Sequence, residues 1–405
     1  MPECWLEGVD GSRYSLANLP LGVRRGVGAD HICTRLGDHV LDLHDLPEAA
    51  ELSRELRDLM QHPSLSPLLA AGPSLWAELR RVVPRLMNET FVRDVVQSHL
   101  RPLADVTMTM PFEIADYVDF YSSLQHATNV DEIAGEGLSL LPENWHHMPI
   151  AYHGRAGTVV VSGTPIVRPW GQRRRRGEGT PTHGPTRRLD LEAEVGFVVG
   201  VPTDTGSVLR PDQLAEHVFG VVLVNDWSAR DLQAWESVPL GPFLGKSFAT
   251  SISPWVVPLE ALRAARKPIR TQSPAVLPYL HDIESWCLDI TLEVRVNGSL
   301  VSEPPFASHY WSPGQQLAHL TASGASVRTG DLFASGTVTG AGARERGSLL
   351  ELTWGGREPI RLDDGSERTF LEDGDVVTIS ASAPDPVGGR LGFGEVVGCV
   401  VPGDR

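Results

Sequence analysis

The sequence is poor in cysteine, with four in 405 residues: Cys4, Cys33, Cys287 and Cys399. They lie far apart without a CxxC pair, which excludes a zinc ribbon and a dithiol redox motif and reads as reduced cytosolic thiols. No stretch approaches the roughly 20 apolar residues that cross a bilayer. The start, Met1-Pro2-Glu3-Cys4-Trp5-Leu6-Glu7, has no basic region followed by an apolar run, so a cytoplasmic location without a membrane partner is expected. Positive charge is also scarce: 35 Lys and Arg stand against 51 Asp and Glu, a formal net charge of −16. Such a surface repels nucleic acid and anionic lipid, so an acidic ligand must be captured by a local basic site. The only dense basic run, Gln172 to Gly179, sits among Gly, Pro and Thr and reads as a solvated loop, not a nucleic-acid face. Internal repeats, phosphate loops and dinucleotide fingerprints are absent as well.

What is present is an ordinary globular composition, 41% hydrophobic and 21% charged, in a chain long enough for two domains. The spacing predicts a change of character near residue 110. Residues 1–109 mix short apolar runs such as Val40 to Leu43 with amphipathic segments around Ala49 to Met60 and Ser74 to Met87. From 110 to 405 come short β-type runs between Gly, Pro and Asp turns, among them Gly157 to Ser162, Glu194 to Val201 and Val218 to Val224. Leu288 to Val296 leads into Asn297-Gly298, a tight-hairpin dipeptide, and Asp363-Asp364-Gly365 and Asp373-Gly374 repeat similar turn chemistry. Antiparallel pairing should dominate the C-terminal half, and the chain is expected to be mainly β with some α.

Carboxylates mark the candidate site. Glu192 and Glu194 stand two apart at the start of an apolar strand, so both project to one face. That pair suits a hard divalent cation and equally suits a solvent-facing strand edge. Asp226 ends the very apolar run Val218 to Asn225, which would deliver it to the rim of a sheet, and Ser228 reads as the N-cap of a helix from Ala229 to Glu236 with Arg230 and Gln233 on one face. Asp119 precedes Tyr121 and His126. Two carboxylates 4 Å apart repel by roughly 4 kcal/mol at an effective dielectric of 20, so four together call for a cation, Mg²⁺ or Ca²⁺. Glu351, in a segment read as a strand with apolar neighbours, needs a partner of its own. His146-His147 lacks further soft ligands nearby and reads as a mobile loop over a pocket.

Several long strings carry a resemblance. Asp119-Phe120-Tyr121-Ser122-Ser123, Gln125-His126-Ala127-Thr128-Asn129, Tyr152-His153-Gly154-Arg155-Ala156, Asn225-Asp226-Trp227-Ser228-Ala229-Arg230-Asp231 and Pro239 to Phe248 resemble motifs of the fumarylacetoacetase family. The likeness runs from about residue 110 to the C-terminus and is weaker before. It implies an N-terminal SH3-like barrel (1–109), a C-terminal mixed β-sandwich roll holding the site (110–405), and a homodimer. It further implies metal ligands at Asp119, Glu192, Glu194 and Asp226, with Lys246 and Thr250 near a second cation, and His126 as general base paired with Glu351. Arg230, Gln233 and Lys246 would supply donors to an oxyanion, and Tyr121, Tyr152 and Thr337 would bind substrate. The implied reaction is hydrolysis of a carbon–carbon bond in a small β-diketo acid, as in tyrosine breakdown.

Two positions depart from the family pattern. An arginine expected after the His126 motif is Gly135 here, and a tyrosine expected after Glu236 is Ser237, which leaves the pocket able to favour a related acyl-keto acid. Arg344 or Arg346 could replace the lost cation. A decarboxylase, tautomerase or hydratase of the same fold is the competing reading, as is a non-catalytic metal-binding protein; the separate His126 and Glu351 favour hydrolysis.

Overall fold

The structure, a computed structural model, describes residues 4–44, 46, 51–89, 92–135, 141–174, 179–282 and 284–403. Its fold mixes α and β. The near-continuous apolar run Val218–Asp226 is buried at every position and forms a central strand of an eight-stranded sheet, as a strand covered on both faces must. Five strands of that sheet frame the site: β1 (Tyr117–Phe120), β2 (Ala193–Val199), β3 (Val218–Asp226), β4 (Thr250–Ile252) and β5 (Leu332–Ala334). Their spatial order is β1-β5-β2-β3-β4, with Ala151–His153 beyond β1 and Val159–Val161 beyond β4. β1 and β5 run parallel, with Asp119 opposite Ala334, while β5-β2, β2-β3 and β3-β4 are antiparallel.

A five-stranded sheet includes Thr291–Val296, Ser299–Ser302, Val376–Pro384 and Arg390–Val401. Its first hairpin closes through Asn297 and Gly298, both left-handed (φ 50° and 83°), as the Asn-Gly dipeptide predicts. One apolar core joins residues of both sheets, among them Val195, Leu223, Leu292 and Ile379. Most pairing between strands is antiparallel, as expected.

Residues before 110 form a four-stranded antiparallel meander, Leu21–Arg24, His31–Leu36, His39–Asp42 and Leu100–Pro102. Between its last two strands lie helices that include Arg54–Leu59 and Pro73–Asn88, inside or close to the two amphipathic segments read from the sequence. Their apolar faces share a second core with the large sheet, where Val23, Leu41 and Val82 join Phe219, Val222 and Leu332. The basic run is only partly described: Trp170–Arg173 pairs with Thr182–Pro185, so Arg173 stands in a hairpin strand where a loop was expected, and residues 175–178 lie outside the described residues.

Candidate active site

Sheet register brings three carboxylates together. Asp119 comes from β1, Glu194 from β2 and Asp226 from the end of β3, all three are buried, and a ligand oxygen of each lies within 4.8 Å of the others. Among the described residues, no group donates a hydrogen bond to either oxygen of Glu194 or to Oδ1 of Asp119. Burial, followed by repulsion from its neighbours, holds the carboxyl of Glu194 well above the usual range, and Asp119 likewise. Asp226 is raised for the same first reason, although Lys246 opposes the rise. Orphaned buried anionic oxygens are costly, and a hard divalent cation with oxygen preference satisfies them. The donor set therefore fits a cation such as Mg²⁺ or Ca²⁺.

Glu192, expected as a fourth ligand, lies beside that trio, linked to Asp226 through Lys246, and is held by cations and hydroxyls of the chain. Its Oε2 accepts from Ser228 Oγ (2.8 Å) and Lys246 Nζ, and its Oε1 accepts from Thr337 Oγ1 (2.6 Å). Oε1 also pairs with Arg230 NH2 at 2.9 Å. Burial alone would raise its carboxyl, yet Arg230, Lys246 and His126 outweigh burial and hold it well below the usual range. Lys246 Nζ donates in addition to Asp226 Oδ2, bridging the two acids, and these partners raise its own affinity for a proton despite burial. Thr250 Oγ1 (3.1 Å) and Tyr152 OH (3.2 Å) complete the shell of Asp226.

The imidazole sits beside this group. His126 lies in the first turn of α1 (Leu124–Ala134), whose N-cap Ser123 accepts the His126 backbone N–H. Nδ1 of His126 is 2.8 Å from Glu351 Oε2, and Nε2 faces Glu192 Oε1 at 3.6 Å. Glu351 is fully buried, which would raise its carboxyl. His126 and hydrogen bonds from Asn129 and Ser348 overcome this and lower it. Thr339 Oγ1 donates as well, at 3.0 Å. An ionised partner at Nδ1 fixes the proton there and leaves Nε2 as the acceptor.

Three readings are corrected by the geometry, and the two late-loop arginines are placed by it. Glu351 belongs to a short helix, α3 (Leu349–Leu352), not a strand. The pattern Ser348-x-x-Glu351 is a capping signature, and Ser348 Oγ does accept the Glu351 N–H, so the signal was there to be read. Ser228 is not a cap. It lies in a two-residue strand paired with Leu189–Asp190, and the helix α2 begins at Arg230 and ends at Glu236. The segment holding His146 is no free loop: Glu143–His146 is a 3₁₀ turn pinned by the fully buried Trp145, whose Nε1 donates to Tyr121 O (2.7 Å). Arg346 donates to Glu351 O and stacks over Trp354, so it is committed to the helix α3, while Arg344 is exposed.

The remaining predicted residues are placed as follows. Tyr121 meets His126 edge to face at 5.4 Å. Arg230 NH1 reaches Gln233 Oε1 at 3.4 Å on the face of α2 expected to hold both, and its Nε donates to Asp190 Oδ2 at 2.8 Å. Ser237 turns its hydroxyl back to Gln233 O (2.6 Å). Gly135 is the left-handed C-cap of α1 (φ 72°), with nothing within 4 Å of where a Cβ would stand. Sequence reasoning assigned no role to Asp190, Trp145, Ser348 or Thr339.

A carboxylate nest fit for a cation, next to an imidazole with one nitrogen free to take a proton, is the equipment of a hydrolase. Residues 117–401 match the family model for Fumarylacetoacetate (FAA) hydrolase C-terminal, and residues 17–111 that for Fumarylacetoacetase N-terminal. The chain thus belongs to the fumarylacetoacetate hydrolase family and is a hydrolase acting on carbon–carbon bonds. It is 42% identical to fumarylacetoacetase of Homo sapiens over 406 residues, covering 96% of this chain and 97% of that one. Fumarylacetoacetase of Arabidopsis thaliana is 41% identical over 407 residues, 96% of each. Among solved structures, a fumarylacetoacetate hydrolase from Exiguobacterium antarcticum superposes with a TM-score of 0.56 at 18% identity, covering 95% of this chain and 99% of that one, a likeness of fold alone.

Proposed function

We propose that this chain hydrolyses fumarylacetoacetate to fumarate and acetoacetate. The observation that carries the reading is the hydrogen-bonded His126–Glu351 pair set beside the trio Asp119, Glu194 and Asp226, in a chain whose full-length relatives carry the name fumarylacetoacetase. Asp119, Glu194 and Asp226, with Glu192 at the margin, would hold Mg²⁺ or Ca²⁺. Bound there, the cation would supply positive charge to the oxygens of a 1,3-dicarbonyl in its enolate form.

The chain's own residues carry the proton steps. Nε2 of His126 takes a proton from water as the water oxygen attacks the carbonyl carbon of the fumaryl group, and ionised Glu351 stabilises the imidazolium that results. The tetrahedral oxyanion is met by donors from Arg230, Gln233 and Lys246, buried or partly so, which act more strongly than they would in water. Arg230 NH2 is paired with Glu192 Oε1 at 2.9 Å, so the guanidinium would meet a substrate oxygen from a position that Glu192 and Asp190 hold. The carbon–carbon bond then breaks with its electron pair on the acetoacetate carbon, and the proton on Nε2 passes to that carbon. The fumaryl group keeps the water oxygen as its new carboxyl. Tyr121, beside His126, Tyr152, on Asp226, and Thr337, on Glu192, would contact the substrate.

The same reading includes an SH3-like barrel for residues 1–109, a catalytic domain of residues 110–405, a homodimer, and a cytoplasmic setting without nucleic-acid or membrane partners. Among the described residues no helix is long and apolar enough to cross a membrane.

The test is turnover of fumarylacetoacetate with Mg²⁺ or Ca²⁺ beside a panel of acylpyruvates, with loss of enol absorbance and product identity recorded and His126→Ala as control. Formation of both acids, dependent on His126, is expected. Neither Gly135 nor Ser237 brings a charge, so faster cleavage of an analogue would reassign the substrate and leave the chemistry intact. A decarboxylated or isomerised product in place of two acids would overturn the reading.

A further inference from the structure

Arg230 and the helix that carries Glu351 approach the site from different directions, and one side chain touches both. Asp190, in the two-residue strand Leu189–Asp190, is fully buried. Its Oδ1 accepts the backbone N–H of Leu349 (2.8 Å) and of its neighbour Leu191 (2.8 Å), while its Oδ2 accepts the N–H of Leu350 (3.0 Å) and Nε–H of Arg230 (2.8 Å). Leu349 and Leu350 open α3, so a carboxylate 159 residues away in sequence caps the turn from which Glu351 reaches His126.

We propose that Asp190 is a positioning residue that fixes the Arg230 guanidinium and the Glu351–His126 pair relative to each other. Packing alone does not supply this. α3 is four residues long, too short to hold its shape by its own hydrogen bonds. Arg230 carries a flexible stem, and its planar fork is aimed only when Nε is anchored. One carboxylate accepting from both sets the distance between the substrate-facing donor and the proton acceptor with no free hinge between them. A shift of about 1 Å in such a relation lowers a rate on the order of a hundredfold. The inference rests on the proposed hydrolysis for its assay and on hydrogen bonds within the chain for its argument.

Asp190→Asn keeps the shape but removes the charge, and it sets an amide donor against an N–H donor at Oδ2 or Oδ1. Turnover of fumarylacetoacetate should fall at least about tenfold in kcat with KM raised severalfold, while Mg²⁺ or Ca²⁺ affinity by calorimetry stays within about twofold, since Asp190 is outside the carboxylate trio. Asp190→Asn should add less in an Arg230→Gln or Glu351→Gln background than in the wild type, because it acts through those residues. Asp190→Glu, which restores the charge with one extra methylene, should recover part of kcat. Unchanged kcat and KM in folded Asp190→Asn would overturn the proposal, as would penalties that multiply independently in both backgrounds. If Asp190→Asn does not fold, the same measurements fall to Asp190→Glu, and if neither folds the proposal also fails, because Asp190 would then govern folding rather than site geometry. Wild-type protein inactive on fumarylacetoacetate would instead count against the reaction assigned above.

Discussion

Nδ1 of His126 and Oε2 of Glu351 lie 2.8 Å apart although 225 residues of chain separate them. Their contact joins the first turn of α1 to the first turn of α3, and each helix start is held by a serine, Ser123 on one side and Ser348 on the other. Proton transfer in the proposed reaction depends on this single hydrogen bond.

Glu351→Gln preserves the volume and removes the charge. The amide can turn its N–H to Nδ1 and place the imidazole in the wrong tautomer, so kcat should drop by roughly 10² to 10⁴, with the circular dichroism of the wild type retained. A loss of less than about tenfold in a folded variant would remove Glu351 from the proton path.

Stability should depend on pH in opposite senses at two places. Burial and mutual repulsion raise the carboxyls of Asp119 and Glu194, so the folded chain binds more protons there than the unfolded chain from about pH 4 upward. Without a cation, these residues lose stabilising effect as pH climbs through their raised values. Glu351 is lowered, so its contribution is complete above about pH 4.3 and is lost as pH falls through its lowered value. Melting curves in chelator should therefore show a declining Tm toward alkaline pH. Saturating Mg²⁺ or Ca²⁺ should reverse the decline, by about 2.7 kcal/mol at a hundredfold excess over Kd, and calorimetry should record proton release on binding.

Glu194→Gln isolates the trio. Among the described residues no group donates to either Glu194 oxygen, so the neutral amide relieves repulsion where the carboxyl would otherwise be ionised, and should stabilise the cation-free protein toward alkaline pH. The same substitution should abolish the Tm rise on adding cation and remove most activity. A variant that is less stable in chelator and still responds to cation would show that Glu194 is not a ligand.

Trp145 supports the wall behind Tyr121. Trp145→Phe loses the bond to Tyr121 O and should destabilise by about 1 to 2 kcal/mol, whereas Trp145→Ala adds a cavity and should destabilise by about 3 to 5 kcal/mol. Denaturant titration reads both, and kcat should fall less than tenfold in the Phe variant.

Much of this was legible in the sequence where the signal is local. The Asn297-Gly298 turn, the buried strand ending at Asp226 and the amphipathic segment that became Pro73–Asn88 each announce themselves within 16 residues. Glu351 was misplaced on a strand because Leu-Leu-Glu-Leu suits strand or helix alike. Ser348 nearby and the carboxylate of distant Asp190 decide for helix, and the second of these is visible only in space. Glu192 likewise shares a face with Glu194 in sequence, while its bond from Lys246, 54 residues on, is visible only in space.

Parallel pairing of Tyr117–Phe120 with Leu332–Ala334 has a consequence for synthesis. The chain grows from its N-terminus, so Asp119 emerges more than two hundred residues before the strand that seats it in the large sheet. Until Ala334 has left the ribosome, the three mutually repelling acids are not locked together, and a nascent or truncated chain has no finished cation nest to fill. The complete site therefore waits for the last third of the polypeptide, which supplies both the strand that seats Asp119 and the glutamate that pairs with His126.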